Sequence, residues 1–453
     1  MKLPAYPSYR ASRADWLGEV PEHWGVKRLK WSVAGCINGV WGDEPDGVDD
    51  VVCVRVADFD RDRFSVATDS LTIRSVEPKQ RQSRKLRKGD LLIEKSGGGD
   101  KQLVGCVVYF DHEFEAVCSN FVARMPVDPE LPGRYWSYVH AALYAGRLNY
   151  PAIKQTTGIQ NLDAGEYLNT LAAYPPVDEQ ENIADFLDWK TAQIDALIAK
   201  KQELIAKLKE KRLAVITQAV TKGLDPKVPL RDSGIPWLGK VPVHWGVLPI
   251  KYLLSAILDT EHKTCPFYDD GEFLVARTTN IRGGKLTLDG AKYTDADGYR
   301  EWTARGIPKP GDILFTREAP AGDACIVPDT PTLCVGQRVV LFRTDPNILD
   351  SRYAIHSIYG GAARVFIEVH SLGSTVTHFN MSEIAMIPML APPLNEQEKI
   401  ANYLDEQTGK VDLMMSKVEE AIARLTEYRS ALIIAATTGK IDLRDCQHAK
   451  EAA

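Results

Sequence analysis

Asp90, Glu94 and Lys95 bring together two carboxylates and a lysine, the residue types of a nuclease cluster. Their spacing argues against that chemistry, because Glu94 and Lys95 are adjacent and on a strand would point to opposite faces. His23 and His244 have no accompanying nucleophile or acidic partner in sequence and read as structural. Methyl transfer would need an Asn/Asp-Pro-Pro-Tyr/Phe tetrad and a Gly-rich cofactor turn, and the sequence has neither. Gly439-Lys440 is followed by Ile441, and no Gly stands five residues before Gly439, so a P-loop is absent. The eight cysteines are scattered without a Cys-x-x-Cys pair, which argues against zinc and fits reduced thiols. The expectation is a chain with no catalytic residues, no metal and no cofactor of its own.

The remaining polar chemistry suits nucleic acid. Residues 74–101 hold nine Lys or Arg against four Asp or Glu. They end in a Gly-rich loop, where backbone can approach a phosphate. Arg84, Lys85, Arg87, Lys88, Lys95, Ser96 and Lys101 are the candidate contacts there, although a solvated basic surface accounts for them equally well. Further candidates stand in polar loops: Asn120; Gln155, Thr157, Gln160 and Asn161; Arg317, Gln337 and Arg338; Ser374, Thr375, Thr377 and His378. Gln, Asn, Thr and Arg hydrogen-bond base edges, and they also populate ordinary turns.

What must position these residues is a doubled framework. Pro175-Pro176-Val177-Asp178-Glu179-Gln180-Glu181-Asn182-Ile183-Ala184 opens a stretch without Gly or Pro that runs to Lys222. Asp178 is placed to cap a helix, with Glu179 and Glu181 in its first turn. Leu187, Ile194, Leu208 and Val215 fall on one seven-residue lattice, Leu197 and Leu204 on its other seam position, and Ile198 and Ile205 widen the stripe. Some 40 residues make a rod of roughly 60 Å. The opening recurs 217 positions later as Pro392-Pro393-Leu394-Asn395-Glu396-Gln397-Glu398-Lys399-Ile400-Ala401. Leu404, Val411, Met414, Leu425 and Leu432 follow on the same offset.

A Trp-rich entrance is doubled too, as Trp16-Leu17-Gly18-Glu19-Val20-Pro21-Glu22-His23-Trp24 and Trp237-Leu238-Gly239-Lys240-Val241-Pro242-Val243-His244-Trp245. Between entrance and helix lie two dissimilar, strand-rich regions, about 31–174 and 248–390. Val51–Val56, Asp90–Ile93 and Leu103–Tyr109 are β-branched runs, and Pro132–Leu148 reads as a helix. Pro310–Phe315 echoes Lys88–Ile93, and Cys334–Phe342 takes the place of Cys118–Arg124.

The 453 residues exceed one core, and 44% hydrophobic with 26% charged content describes an ordinary globular protein. No run approaches the 18 apolar residues of a membrane span, and Met1-Lys2-Leu3-Pro4 lacks a signal core, so a cytoplasmic protein without membrane contact is expected. The net charge of -6 discourages a nucleic-acid reading but says little about where the basic residues lie.

Together, the doubled entrance and the doubled Pro-Pro-x-Asx-Glu-Gln-Glu-x-Ile-Ala helix resemble the specificity subunit of type I restriction–modification systems over nearly the whole chain. The resemblance implies an α+β protein with a pseudo-twofold internal repeat. Two mixed α/β target recognition domains (1–174 and 223–391) would be separated by two long antiparallel helices (175–222 and 392–440) forming a coiled coil, with a tail at 441–453. Each domain would read one half of a bipartite, asymmetric double-stranded DNA target. The helices would set the spacer and dock two methyltransferase subunits, with a motor-nuclease subunit completing the enzyme. On that reading Glu179, Gln180, Ile183, Leu187, Ile194, Leu197, Leu204 and Leu208 belong to the docking helices. So do Glu396, Gln397, Ile400, Leu404, Val411, Met414, Leu425 and Leu432. S-adenosylmethionine, ATP and Mg²⁺ would sit on the partners. A coiled-coil adaptor without DNA reading explains the rods but not the two polar-looped domains.

Overall fold

A computed structural model of the chain describes residues 4–99, 102–156, 158–261, 263–318, 320–371 and 378–446. Its contacts divide into two compact units, Met1–Lys200 with Glu420–Ala453, and Lys201–Glu419. The fold is mixed α/β.

In the first unit the β-branched runs become shorter strands: Asp50–Val54, Leu91–Glu94 and Val107–Tyr109. The expected helix occupies Gly133–Ala145. The main sheet runs Ile37–Asn38, Val122–Met125, Leu91–Glu94, Val107–Tyr109, Ser65–Val66, Phe59–Asp60. All four residues of Leu91–Glu94 are buried, because alternate side chains enter different cores. Leu91, Ile93, Val107 and Ala123 face one core, while Leu92, Val108 and Val122 face the other. A strand covered on both faces shows the continuous apolar run seen in sequence.

The second unit repeats this order with unrelated residues: Leu254–Leu258, Val339–Thr344, Ile313–Thr316, Ala324–Ile326. Ile313, Phe315, Val340 and Phe342 again face one core, and Leu314, Val339 and Leu341 another. Beside each main sheet a parallel pair recurs, Ala116–Cys118 on Asp50–Val54 and Leu333–Val335 on Phe273–Ala276. Cys118 lies opposite Val54 and Val335 opposite Ala276. The counterpart of Cys118 is therefore Val335, one residue beyond the Cys334 matched by residue type alone.

The long helices span Val177–Lys222 and Leu394–Thr437. Each starts one residue before the expected Asx cap, because the first turn closes on a proline carbonyl. The Gln180 N–H donates to Pro176 at 2.9 Å and the Gln397 N–H to Pro393 at 3.0 Å. Asp178 and Glu179 lie in the first turn, where negative charge opposes the helix dipole.

One seam lattice is placed as expected, with Leu187, Ile194 and Leu208 buried. Its companion is shifted by one residue. Thr191 is buried and Ile198 and Ile205 half-buried, whereas Leu197 and Leu204 are 43% and 44% exposed. The inward step from Leu187 is four residues, not three, which turns Leu197 and Leu204 outward. The second helix behaves alike, with Leu404, Thr408, Val411 and Leu432 buried and Met414 exposed. Within the first unit Arg429 Nε meets Asp195 at 3.0 Å, and within the second Arg212 Nε meets Asp412 at 2.9 Å. The 217-residue repeat carries Asp195 onto Asp412 and Arg212 onto Arg429, so these are one ion pair made twice. Among the described residues no helix is long and apolar enough to cross a membrane.

Candidate nucleic-acid interface

Asp90, Glu94 and Lys95 do not converge. The buried Asp90 carboxylate accepts Arg124 Nε at 2.6 Å and the Arg87 N–H at 2.6 Å. Glu94, fully buried, accepts Arg61 Nη2 at 2.8 Å. Burial pushes its carboxyl up, and the Arg61 guanidinium opposes that shift. Lys95 turns elsewhere, placing Nζ 2.7 Å from Asn38 Oδ1.

Around Lys95 several predicted residues do come together. Arg84 Nε donates to the Asn38 carbonyl at 3.1 Å. The Lys95 and Ser96 N–H groups both point at the Phe121 carbonyl, at 2.8 and 3.4 Å. Ser96–Gly97 pairs with Ile159–Leu162, the second strand of the hairpin begun by Ile153–Thr156. Ser96 Oγ donates to Asn161 Oδ1 at 2.6 Å. Along Ile159–Leu162 burial alternates, so Ile159 and Asn161 face out and Gln160 and Leu162 face in. Gln160 is thereby removed from the exposed set: its Oε1 accepts the Val104 N–H at 3.1 Å. Gly98 closes this loop at φ +66, where a Cβ would meet Val104 N and Gln102 O. Asn120 is exposed on a turn, and Gln155 is exposed on the strand Ile153–Thr156. Thr157 and Lys101 lie outside the described residues.

Two lysines of the basic segment are answered by acids the sequence window did not include. Lys85 Nζ lies 3.4 Å from Glu115, and Lys88 Nζ lies 3.3 Å from Asp111 and 3.1 Å from Glu113. Arg87 is exposed. Among the described candidate contacts, the local cationic excess is thus left to Arg84, Arg87 and Lys95 rather than to the whole segment.

In the second unit the Arg317 N–H donates to the Arg338 carbonyl at 3.0 Å, as Lys95 does to Phe121. Arg317 itself is buried. Its Nη1 donates to Asp259 Oδ2 at 2.9 Å and its Nη2 to His378 Nε2 at 3.1 Å. With Nε2 accepting, His378 carries its proton on Nδ1 and donates to Glu318 at 2.7 Å. Arg338 stays half exposed, with Nε 3.4 Å from Glu318, and Gln337 is half-buried. Ser374, Thr375 and Thr377 lie outside the described residues.

The histidines have acidic partners after all, distant in sequence. His23 Nε2 lies 2.6 Å from Glu179 Oε1, while Trp24 Nε1 and the Tyr6 hydroxyl each donate to Glu179 Oε2 at 3.0 Å. His244 and Trp245 hold Glu396 Oε2 at 2.9 and 3.2 Å. The entrance motif is therefore a clamp on the first turn of its own repeat's helix, which explains why the two motifs are doubled together. Gln180 and Gln397 complete it by returning Nε2 to the carbonyls of Pro175 and Pro392, both at 2.9 Å. Glu179, Gln180, Ile183, Gln397 and Ile400 are accordingly buried, and Glu396 and Leu425 partly so.

Residues 271–424 match the family model of the type I restriction modification DNA specificity domain. The matched residues include Arg317, Gln337, Arg338 and His378. Beyond it, the chain is 21% identical over 440 residues to the type I restriction enzyme EcoKI specificity subunit of Escherichia coli, spanning 94% of this chain and 90% of the relative. The StySPI specificity subunit of Salmonella potsdam is 21% identical over 443 residues, with the same 94% and 90% coverage. A chain from a solved structure, described as concerning complex assembly and conformational transition of the type I R-M system, superposes with a TM-score of 0.67. It is 15% identical and covers 93% of this chain and 99% of that one, a likeness of fold.

Proposed function

We infer that the chain is the DNA-sequence-specificity subunit of a type I restriction–modification complex, without catalysis of its own. The observation that carries this is the repetition of sheet order and clamp in both units, although the specificity-domain match covers only residues 271–424. A fold that reads DNA once is thereby present twice. Residues 1–174 and 223–391 are the two target recognition domains, and their dissimilar loops give two different half-sites. Residues 175–222 and 392–440 form an antiparallel coiled coil, supported by the twice-made Asp–Arg pair. Docking of two methyltransferase subunits falls to the outward side chains of these helices, Leu197, Leu204 and Met414, since Ile183, Leu187, Ile400 and Leu404 are already buried. S-adenosylmethionine, ATP and Mg²⁺ belong to the methyltransferase and motor-nuclease partners, and the complex works on DNA in the cytoplasm.

Exchanging residues 31–174 for the corresponding region of a related specificity subunit tests the modular reading. Mapped methylation should show one half-site changed and the other intact. A change in both, or in neither, contradicts it.

Phosphate contacts should divide as the charges do. In the assembled complex, Lys95→Ala should weaken target and non-target DNA alike and lower the salt slope by about 0.9. Lys88→Ala, whose ammonium is held by Asp111 and Glu113, should leave the slope unchanged. Equal slopes for both variants and the parent would place DNA elsewhere.

A further inference from the structure

The two units share one turn that carries different chemistry in each. In both, it joins the parallel strand to the next strand of the main sheet: Ser119-Asn120-Phe121 between Ala116–Cys118 and Val122–Met125, and Gly336-Gln337-Arg338 between Leu333–Val335 and Val339–Thr344. The ladder registers make Phe121 and Arg338 equivalent, and a backbone bond confirms the equivalence. Each offers its carbonyl to the N–H of the basic residue that follows the central strand, Lys95 or Arg317. The turn is thus anchored to the central strand of a buried sheet while Asn120, Phe121 and Arg338 face solvent. Phe121 is 51% exposed. The Arg338 side chain is 50% exposed, and its one ion-pair partner among the described residues, Glu318, is 3.4 Å away.

Resting on the specificity-subunit reading above, we propose that this turn is a base-reading element, with Phe121 and Arg338 setting one base pair in each half-site. The neighbours fit the task. In the first unit Lys95 and Arg84 supply positive charge at the Asn38 strand for the sugar–phosphate backbone. Asn120 and Gln337, one residue earlier, are both amides, so the units differ most at the following position. An exposed phenyl ring cannot hydrogen-bond a base edge, and the distinguishing apolar group in the major groove is the thymine methyl. A guanidinium presents a planar fork matched to guanine O6 and N7. Phe121 therefore selects a thymine and Arg338 a guanine.

The test uses the chain assembled with its methyltransferase subunits, with half-sites first located by methylation mapping. Binding is then measured at one salt concentration on duplexes varied at each base pair in turn. Arg338→Ala should reduce the preference for guanine at a single position of one half-site by roughly 5- to 150-fold and leave the other half-site as it was. Replacing one thymine of the other half-site by deoxyuridine should weaken the parent about fourfold, the value of one buried methyl, and leave Phe121→Ala unaffected. The proposal is overturned if Arg338→Ala weakens all duplexes equally and Arg338→Lys restores them, the behaviour of a phosphate contact. Unaltered base preferences in both alanine variants overturn it as well. A parent complex that binds every duplex alike instead sinks the specificity-subunit reading itself, before any variant is compared.

Discussion

Replacing Glu179 by alanine is expected to destabilise the first unit by about 3–5 kcal/mol. The carboxylate is buried and takes three hydrogen bonds, from the Tyr6 hydroxyl, Trp24 Nε1 and His23 Nε2. Its removal strands Tyr6 and Trp24 donors among packed rings, because Trp24 is 1% and Tyr6 4% exposed. Burial, the largest cause of the raised Tyr6 phenol, persists in the variant, so the hydroxyl stays protonated and is left without its acceptor. Glu396→Ala should cost less. Its clamp has two donors, and side-chain exposure there is 44% for His244 and 27% for Glu396, against 41% and 8% for His23 and Glu179. Native-state hydrogen exchange, resolved on each unit, measures both variants in one chain. Equal losses, or a larger loss for Glu396→Ala, would show that the clamp is not what ties entrance to helix.

Lengthening both long helices by four residues, between Ile205 and Ala206 and at the facing point between Val418 and Glu419, should lengthen the DNA spacer while both half-sites stay the same. Four helical residues add about 6 Å and advance the face by roughly 40° beyond a full turn. One base pair of B-DNA adds about 3.4 Å and some 35°. Rotation dominates, since a recognition surface turned from its groove loses base contacts, so the expected spacer is one base pair longer. The insertion must be matched. Lengthening the first helix alone displaces Leu208 and carries Arg212 away from Asp412, whereas a paired four-residue step is absorbed by local unwinding. Methylated-site mapping reads the outcome. An active double variant with the parental spacer would mean that the helices do not set the distance.

The fold was legible where sequence periodicity and repetition report burial directly. The doubled helix openings, the lattice through Leu187, Ile194 and Leu208, and the run at Leu91–Ile93 all became elements close to their expected bounds. The one-residue errors have physical causes. Asp178 resembles a cap, but the first turn closes on Pro176, and Leu197 and Leu204 match a three-residue step where the seam takes four. The site was less legible because it depends on contacts distant in sequence. Glu115, Asp111 and Glu113 neutralise Lys85 and Lys88 from outside the basic window, and Gln160 faces inward because its strand alternates. His23 has its partner 156 residues away. The signal for that clamp was present all the same, in two motifs that recur only as a pair.

The account stands most directly on one measurement: mapping every methylated base in DNA exposed to this chain assembled with its methyltransferase subunits, with the chain alone as control. The result expected is a single bipartite sequence, two unlike half-sites at one fixed spacing, and no methyl transfer by the chain alone. Methylation at one uninterrupted sequence, at unrelated sites, or by the isolated chain would contradict it.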